Sequence, residues 1–587
     1  MHKEVNEKFH LKAKILNVSD VKSVDIFNTN SLIIIIASTW GDGGPTDDCE
    51  DFNKMLESKE FWDGFKNGEN LNIAIFGLGN SDYTYFNAQA KFFHKVLVEE
   101  HKLNEICTMG LGNSLYDIEK DFNEWKDKVF YKGLYSFFSK NYEKNYDFYK
   151  NNNLLNELPK ESGSKEVKKD FELFTSDKKE GSNIDNKNYS QNIQNHLNSK
   201  KVKILNIEEL RQNNNNGSTL KVVFDLSGTN YKYKPAENIL VYPKNNEETV
   251  NLILKQLTSD QENNVINYKI LNNNKDSNLN LPLPEGITVK EALSEYIDLS
   301  CQITKNILSK LVIFLTDSND KNKINEILND EKKMEEFLSK RYNISDFIKD
   351  YNSLKLSLKD LAEILPSITP RYYTCSSSNN KKNNSIELVI TLVSWKGPKD
   401  DLRYGLTSNY FRDLYKSKSF SQKDVFANIS LKESAFILPS DLSTPMLMMC
   451  TGSGIAPFIS FLEELEFNKK DKKYETYLIF GSMNKKNDFI FEKELEEYKK
   501  NGVLTDYYTA FSRDQEKKVY VQNVFEEQFK KERLEKLVNE KGLKIYICGS
   551  VSMGNAVIKK LGEIIGEESK EKMTKNNQLM SEMWENK

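Results

Sequence analysis

Strand-like and helix-like patterns of apolar residues alternate over the first 150 residues of the chain. The runs SLIIIIAS and LNIAIFGLG are short, apolar and followed by turn residues, which is typical of buried parallel strands. The stretches DDCEDFNKML and YFNAQAKFFHKVLVEE are instead typical of helices. Strands that alternate with helices predict a doubly wound α/β domain over residues 1–150.

Residues 151–200 have a different composition. They are rich in Asn, Lys, Ser and Gly and poor in apolar residues, which predicts a flexible linker.

Strand patterns return after the linker. KVKILNIEEL, STLKVVFDLSG and IELVITLVSW predict a β domain over residues 201–438. TVKEALSEYI, KMEEFLSKRY and LSLKDLAEILP predict a helical insert within it, over about 245–365. A second α/β domain is predicted over residues 439–587, where YETYLIFGS and LKIYICGSVSMGNAVIKKLGEII repeat the first pattern.

The charge balance and hydropathy exclude several classes of partner. The 83 basic and 87 acidic side chains give a formal net charge of -4, so no electrostatic footprint for nucleic acid or an anionic membrane is expected. The run LIIII is far shorter than a membrane-spanning helix, and neither end carries a signal peptide or lipid-anchor motif. We therefore expect a cytoplasmic protein without a membrane anchor.

Cysteine and histidine limit the chemistry. The six cysteines are scattered without a CxxC pair, which favours a reducing compartment and no metal site held by local spacing. All five histidines lie at or before position 196. The C-terminal two thirds therefore cannot use histidine acid–base chemistry, and catalysis there requires other groups or a cofactor.

A phosphate site is predicted in MLMMCTGSGIAPFISFLEEL. An apolar strand leads into Gly452 and Gly454 and then into a helix, with Pro457 suited to its first turn. Glycines let backbone approach a phosphate, and a helix N-terminus favours the anion. A plain tight turn is the alternative, but the strand before and the helix after favour a dinucleotide.

The loop FSRDQEKKVYVQ indicates which dinucleotide binds. Ser512, Arg513, Lys518 and Tyr520 supply the cations and hydroxyls that a 2′-phosphate requires, which favours NADP over NAD. A solvated charged turn is the alternative interpretation.

Further segments suggest sites for flat, phosphorylated ligands. In PRYYTCSSS, Arg371 is suited to a pyrophosphate and the adjacent tyrosines to a ring, although cross-strand packing is the alternative. RYGLTSNYF opens a helix at Gly405 and offers another anion site. Trp40 and Tyr83 lie in two glycine-rich loops after N-terminal strands, where they would enclose a flat heterocycle; core packing is their default role.

Taken together, these motifs resemble those of the diflavin reductases of the NADPH–cytochrome P450 reductase type, over nearly the whole chain. The resemblance implies a flavodoxin-like domain, an FAD-binding antiparallel β-barrel with a helical insert and an NADP-binding α/β domain of the ferredoxin-reductase type. It assigns the two N-terminal loops to FMN: Ser38, Thr39, Trp40, Gly41, Leu78, Gly79, Asn80, Tyr83 and Asn87. It assigns the following residues to FAD: Arg341, Arg371, Tyr372, Tyr373, Thr374, Val389, Thr391, Trp395, Gly405, Leu406, Thr407, Ser408 and Trp584.

The resemblance also implies a reaction. It assigns six residues to NADPH: Ser453, Ser512, Arg513, Lys518, Tyr520 and Gln522. A hydride would pass from NADPH to FAD, with Thr374, Cys548 and Glu582 orienting it and Trp584 covering the FAD ring. Single electrons would then pass to FMN and on to an acceptor protein carrying haem, cobalamin or an iron–sulfur cluster.

The sequence departs from that family in two respects. It begins MHKEVNEKFHLKAKILNVSDV, which resembles the material after the family's first strand and phosphate loop. Unless the sequence is truncated, FMN is therefore expected to bind weakly or not at all. Met483 and Ser550 stand where relatives often carry Arg and Asp, and the loss of that Arg would loosen NADPH binding. The alternatives are therefore an FAD-only NADPH dehydrogenase and, less favoured, a non-enzymatic scaffold.

Overall fold

The computed structural model divides the chain into two compact units, Met1–Lys168 with Thr304–Ser309, and Lys169–Ile303 with Lys310–Lys587. It describes residues 1–587 apart from 2–4, 6–12, 30–31, 40–42, 67–70, 82–84, 141–170, 179–195, 197, 213–216, 259, 271–280, 435, 470–473 and 585–587.

The first unit contains a parallel sheet between two layers of helices. Its strands are β1 Leu32–Ser38, β2 Asn72–Gly79, β3 Asn104–Glu105 and β4 Gly110–Asn113. Its helices are α1 Asp25–Thr29, α2 Glu50–Glu57, α3 Lys59–Asp63, α4 Ala88–Phe93, α5 Ile118–Trp125 and α6 Tyr131–Lys140, with π-helical His94–Glu100 and Lys126–Phe130 and 3-10 turns Val18–Asp20 and Asp47–Cys49.

Strand β2 is central to this sheet and pairs in parallel with β1, β3 and β4. Its side chains alternate between two cores: Ile73 and Ile75 pack with α2 and α3, whereas Ala74 and Phe76 pack with the residues of α5 and α6. Apolar residues on both faces are what a doubly wound sheet requires, and this confirms the predicted α/β fold.

Strand β1 departs from the prediction of a fully buried strand. Only Ala37 in it is buried, and Ile36 is 47% exposed. Among the described strands, β1 pairs with β2 alone, so its outer side lacks the neighbour that covers β2.

The second unit contains the remaining elements. Its strands are β5 Phe171–Ser176, β6 Lys200–Glu209, β7 Thr219–Asp225, β8 Asn238–Tyr242, β9 Val265–Ile270, β10 Arg371–Thr374, β11 Ser385–Thr391, β12 Ser394–Lys396, β13 Leu402–Tyr404, β14 Phe426–Lys432, β15 Met446–Thr451, β16 Thr476–Ser482, β17 Asp506–Phe511, β18 Lys544–Ser550 and β19 Leu579–Trp584.

The helices from residue 247 onward include Lys305–Leu311, whose first residues are grouped with the first unit. They are α7 Glu247–Leu254, α8 Val289–Glu295, α9 Lys305–Leu311, α10 Ser318–Asn329, α11 Glu331–Ser339, α12 Ile344–Asp350, α13 Leu358–Ile364, α14 Asn379–Lys382, α15 Leu406–Ser417, α16 Ser419–Gln422, α17 Ala456–Phe467, α18 Lys485–Asp488, α19 Glu492–Lys500, α20 Val521–Gln528, α21 Lys531–Lys541, α22 Val551–Ile565 and α23 Glu567–Lys575, with 3-10 turns Val312–Phe314 and Gly452–Ile455.

Six antiparallel strands form the predicted barrel in the order β10-β8-β14-β6-β7-β11. An isolated antiparallel bridge between Cys375, just after β10, and Leu388 of β11 joins the two ends of this path. Alternate residues such as Val222 and Phe224 face the barrel core. Helices α7–α13 fall between β8 and β10, which agrees with the predicted insert.

One part of the predicted linker is an ordered strand. Phe171–Ser176 forms β5 and pairs antiparallel with β9 within the helical insert. Leu173 is buried there. The flexible-linker interpretation is therefore wrong for this segment. The sequence FELFTS has alternating side chains and pairs with a strand that lies roughly 90–100 residues further along the chain.

The C-terminal sheet is parallel and runs β17-β16-β15-β18-β19. Met446, Met448 and Cys450 of β15 enter one core, while Leu447 and Met449 enter the core on the other face. The second α/β domain is thereby confirmed.

Candidate functional site

The glycine turn after β15 places backbone close to the neighbouring strand. Gly452 has φ 55°, a left-handed conformation that favours glycine. Gly454 is packed against β18 so closely that a Cβ would lie 2.3 Å from the Cys548 carbonyl oxygen. Ser453 is half-buried between them, and the 3-10 turn leads directly into α17, with Pro457 in its first turn. The turn fits a dinucleotide phosphate at a helix N-terminus.

The loops after β16 and β17 are hydrogen-bonded to each other. The Ser512 and Arg513 amides donate to the carbonyls of Ser482 and Met483, at 3.0 and 2.8 Å. The side chains of Arg513, Lys518 and Tyr520 are exposed, and Gln522 follows in the first turn of α20. This surface of cations and hydroxyls fits a 2′-phosphate.

Strand β10 directs its tyrosines to different environments. Tyr372 is 38% exposed, with the Lys432 ammonium 5.2 Å from its ring centre. Burial of the Tyr373 hydroxyl raises its pKa to about 12, although Arg371 and Thr407 oppose the shift. The Arg371 guanidinium lies 3.7 Å from the carboxylate of Asp298 and also donates to Thr369.

Helix α15 begins as predicted, with Gly405 as its N-cap residue. Thr407 and Ser408 are buried in its first turn. The Ser408 hydroxyl donates to the Gly405 carbonyl at 3.1 Å and accepts from the Val393 amide at 3.3 Å. Its hydrogen bonds therefore hold the turn itself, while Leu406 remains half-buried.

The other residues assigned to FAD lie in separate environments. Val389 is buried in the core with the C-terminal sheet. The Thr391 hydroxyl lies 3.3 Å from that of Thr219. Trp395 is half-buried in β12, opposite Arg403 of β13. Arg341 follows α11 with φ 52° and is half-buried.

Three side chains from the barrel, the segment after β14 and the C-terminal sheet surround one carboxyl group, that of Glu582. Glu582 on β19 accepts from the Thr374 hydroxyl at 3.3 Å and from the Ser434 hydroxyl at 2.6 Å. Cys548 on β18 is the register partner of Glu582 and is 1% exposed. Sequence reasoning missed Ser434, because a lone serine after a strand belongs to no motif.

Burial controls the protonation of this cluster. It raises the pKa of the Glu582 carboxyl, against the two hydroxyl donors that lower it. It also raises the pKa of the Cys548 thiol well above its ordinary value, and the neighbouring Glu582 raises it further. Cys548 is therefore a neutral thiol. Trp584 is two residues beyond Glu582, pairs in register with Ser550 and is 39% exposed.

In the first unit, the predicted FMN residues that the structure describes lie at the carboxyl ends of β1 and β2. Ser38 is the register partner of Leu78, and the Thr39 hydroxyl accepts from the Gln89 amide at 3.1 Å. Asn80 directly follows Gly79, the last residue of β2. Trp40 and Tyr83, the aromatic pair predicted to enclose a flat heterocycle, lie outside the described residues, as does Gly41.

Asn87 is held in place by contacts with the ends of two strands. It is fully buried with φ 54°, and its amide donates to the Gly112 carbonyl at 3.1 Å. A Cβ on Gly79 would lie 2.6 Å from the Asn87 amide oxygen. Gly79 thus allows Asn87 to lie against the ends of β2 and β4.

The described residues contain neither a membrane-spanning helix nor a metal-binding cluster. No helix in the described ranges is both long and apolar enough to cross a bilayer. Nor do three or more His, Cys, Asp or Glu side chains within these ranges come together in a way that would hold a metal ion.

Three family models match the chain in succession. The "Flavodoxin" model matches residues 1–125, the "FAD binding domain" model residues 194–410 and the "Oxidoreductase NAD-binding domain" model residues 448–559. The start of the second match at 194 leaves β5 outside that model.

Relatives named NADPH–cytochrome P450 reductase align over most of the chain. The protein of Musca domestica is 27% identical over 553 residues, which is 90% of this chain and 76% of the relative. That of Mus musculus is 25% identical over 569 residues, covering 94% and 78%. That of Drosophila melanogaster is 27% identical over 550 residues, covering 90% and 76%.

Proposed function

Because the chain is an NADPH-dependent diflavin reductase of the NADPH–cytochrome P450 reductase type, we propose that it delivers single electrons to a haem protein. The relatives' name is the reason to prefer haem over cobalamin or an iron–sulfur cluster. When bound, the two flavins would supply the redox chemistry, with hydride acceptance at FAD and single-electron transfer at FMN. A cytoplasmic location remains a prediction.

The observation that carries this proposal is the cluster at Glu582. Thr374 belongs to the barrel strand assigned to FAD, whereas Glu582 belongs to the nucleotide-binding sheet. Their 3.3 Å hydrogen bond brings the two predicted sites to one point. A hydride transfer needs this arrangement, because the two reacting rings must be in contact.

Each side chain of the cluster then has a proposed role. The Ser434 and Thr374 hydroxyls hold the two carboxyl oxygens of Glu582 and fix its orientation. The Glu582 carboxyl stabilises positive charge that develops on a nicotinamide as the hydride leaves. The neutral Cys548 thiol, on the strand next to Glu582, would give the nicotinamide an uncharged neighbour.

The remaining predicted contacts bind and orient the cofactors. The Gly452–Ile455 turn would hold the NADPH pyrophosphate, and Arg513 with Lys518 the 2′-phosphate. The exposed face of Trp584 is suited to covering a flat ring and moving aside. Ser38, Thr39, Leu78 and Gly79 would line the FMN site at one sheet edge.

Flavin content and acceptor choice test the proposal together. Flavins are released by heat from the purified full chain and separated, and NADPH-dependent reduction of ferricyanide and of cytochrome c is followed. Because the flavodoxin model matches residues 1–125, we expect equimolar FAD and FMN with reduction of both acceptors, in contrast to the weak FMN binding predicted from the sequence alone. FAD alone, with ferricyanide reduction only, would favour the single-flavin dehydrogenase, and absence of both flavins would overturn both enzymatic hypotheses.

A further inference from the structure

A buried ion pair connects the barrel to the nucleotide-binding loops. The Arg211 guanidinium, two residues after the end of β6, donates to the Asp488 carboxylate at 3.0 Å. Their side chains are 13% and 9% exposed. Arg211 also donates through Nε to the Thr219 hydroxyl at 3.0 Å. Two charges are buried together with their hydrogen bonds made, which is the arrangement that a buried pair requires.

Asp488 uses its second oxygen to hold the loop after β16. It accepts from the Asn484 amide at 3.2 Å. The Asn484 side chain in turn donates to Asp514 at 2.9 Å, and the Lys485 amide donates to the other Asp514 oxygen at 2.8 Å. The loop of residues 483–488 is thus fixed on one side by Arg211 and fixes Asp514 on the other.

Asp514 is adjacent to the residue assigned to the 2′-phosphate. The Arg513 side chain is exposed, but its backbone amide is held by the Met483 carbonyl at 2.8 Å. The backbone position of Arg513 therefore depends on the loop that Asp488 holds.

We propose that Arg211 and Asp488 are positioning residues that fix the 2′-phosphate loop against the barrel and so determine the preference for a phosphorylated dinucleotide. The inference rests on the proposed role of Arg513. Neither residue need contact the dinucleotide, because a displaced loop is sufficient to misplace Arg513. Loosening the pair should reduce affinity for the 2′-phosphate and leave the other part of the dinucleotide site unchanged.

Calorimetric titration of the full chain with adenosine 2′,5′-bisphosphate and with 5′-AMP tests this directly, since the two probes differ only in the 2′-phosphate. The test variant is the double change Arg211→Gln with Asp488→Asn, in which a Gln–Asn hydrogen bond avoids an unpaired buried charge. Glu208→Gln is the matched control, since it breaks the Lys221 ion pair of the same hairpin. Melting temperatures are measured for all proteins.

The double variant should bind adenosine 2′,5′-bisphosphate on the order of tenfold more weakly, with 5′-AMP binding and the control unchanged. Its KM for NADPH should rise while kcat at saturation stays near the wild-type value. If the double variant prefers adenosine 2′,5′-bisphosphate over 5′-AMP as strongly as wild type does, the inference is overturned, whereas the role of Arg513 is not. Equal loss of affinity for both probes would also overturn it. If the wild-type chain binds adenosine 2′,5′-bisphosphate no more tightly than 5′-AMP, and Arg513→Ala gives the same result, the assignment of Arg513 is overturned and the inference with it.

Discussion

Replacing Gly454 by alanine should damage both stability and hydride transfer. The new Cβ would lie 2.3 Å from the Cys548 carbonyl oxygen and 2.8 Å from its carbonyl carbon. Both atoms belong to the backbone of the interior strand β18, so no side-chain rotation relieves the overlap. Gly454 has no left-handed φ, and the effect of the substitution is therefore purely steric.

The size of the effect follows from overpacking. Forcing a methyl group into a packed site costs about 1–3 kcal/mol. For a domain of this size, with roughly 2–4 °C per kcal/mol, the melting temperature should fall by roughly 2–12 °C. A shift of β18 moves Cys548 relative to Glu582, and misplacement by about 1 Å can slow a reaction on the order of 100-fold.

Scanning calorimetry and NADPH-dependent ferricyanide reduction measure the two effects. Gly228→Ala is the matched control, because no atom lies within 4 Å of its added Cβ and Gly228 has no left-handed φ. The control should behave as wild type. A Gly454→Ala protein with wild-type melting temperature and turnover would refute the steric reasoning.

Three further substitutions have defined outcomes. Burial raises the pKa of Glu582 above its ordinary 4.5, so the folded state binds this proton more tightly than the unfolded state, and the stabilisation is lost as pH rises through the folded pKa. The melting temperature of Glu582→Gln should therefore fall less than that of wild type as pH rises from 4.5 through the folded-state pKa of Glu582, and parallel curves of melting temperature against pH would contradict this. Thr374→Val removes one hydroxyl donor to the carboxyl, and a lost bond costing about 1–3 kcal/mol should slow flavin reduction by NADPH about 5- to 150-fold in stopped-flow; a rate equal to that of Thr374→Ser would count against it. Asn87 has φ 54° and donates to Gly112. Alanine in this left-handed conformation is strained, so the free energy of unfolding of Asn87→Ala should be about 1–2 kcal/mol below that of Asn87→Gly. Equal melting temperatures of the two variants would refute that reasoning.

Local signals in the sequence were sufficient for the domains and for individual motifs. The turn at Gly452 and the helix start at Gly405 were predicted, because both depend on neighbours within a few residues. Strand β5 was missed because six residues in a polar segment carry a weak periodic signal, and their stability comes from pairing with β9.

The partnerships in the site required the structure. The bond between Thr374 and Glu582 spans 208 residues, and that between Arg211 and Asp488 spans 277. No periodicity or spacing rule relates positions so far apart. The family resemblance assigned Thr374 and Glu582 to one site, but it assigned no role to Ser434, Arg211 or Asp488, whose importance is apparent only from their contacts.

The burial of Cys548 affects how readily its thiol is oxidised. Its register partner on β15 is Cys450, another free, buried thiol. Peroxide and disulfide exchange attack the thiolate, and the raised pKa values of both cysteines keep the thiolate scarce. Single electrons that escape to oxygen give superoxide and then peroxide, so the activity proposed above would expose the protein's own thiols to an oxidant. The same burial that keeps Cys548 uncharged beside Glu582 thus protects the sulfur in the cluster from being oxidised during turnover.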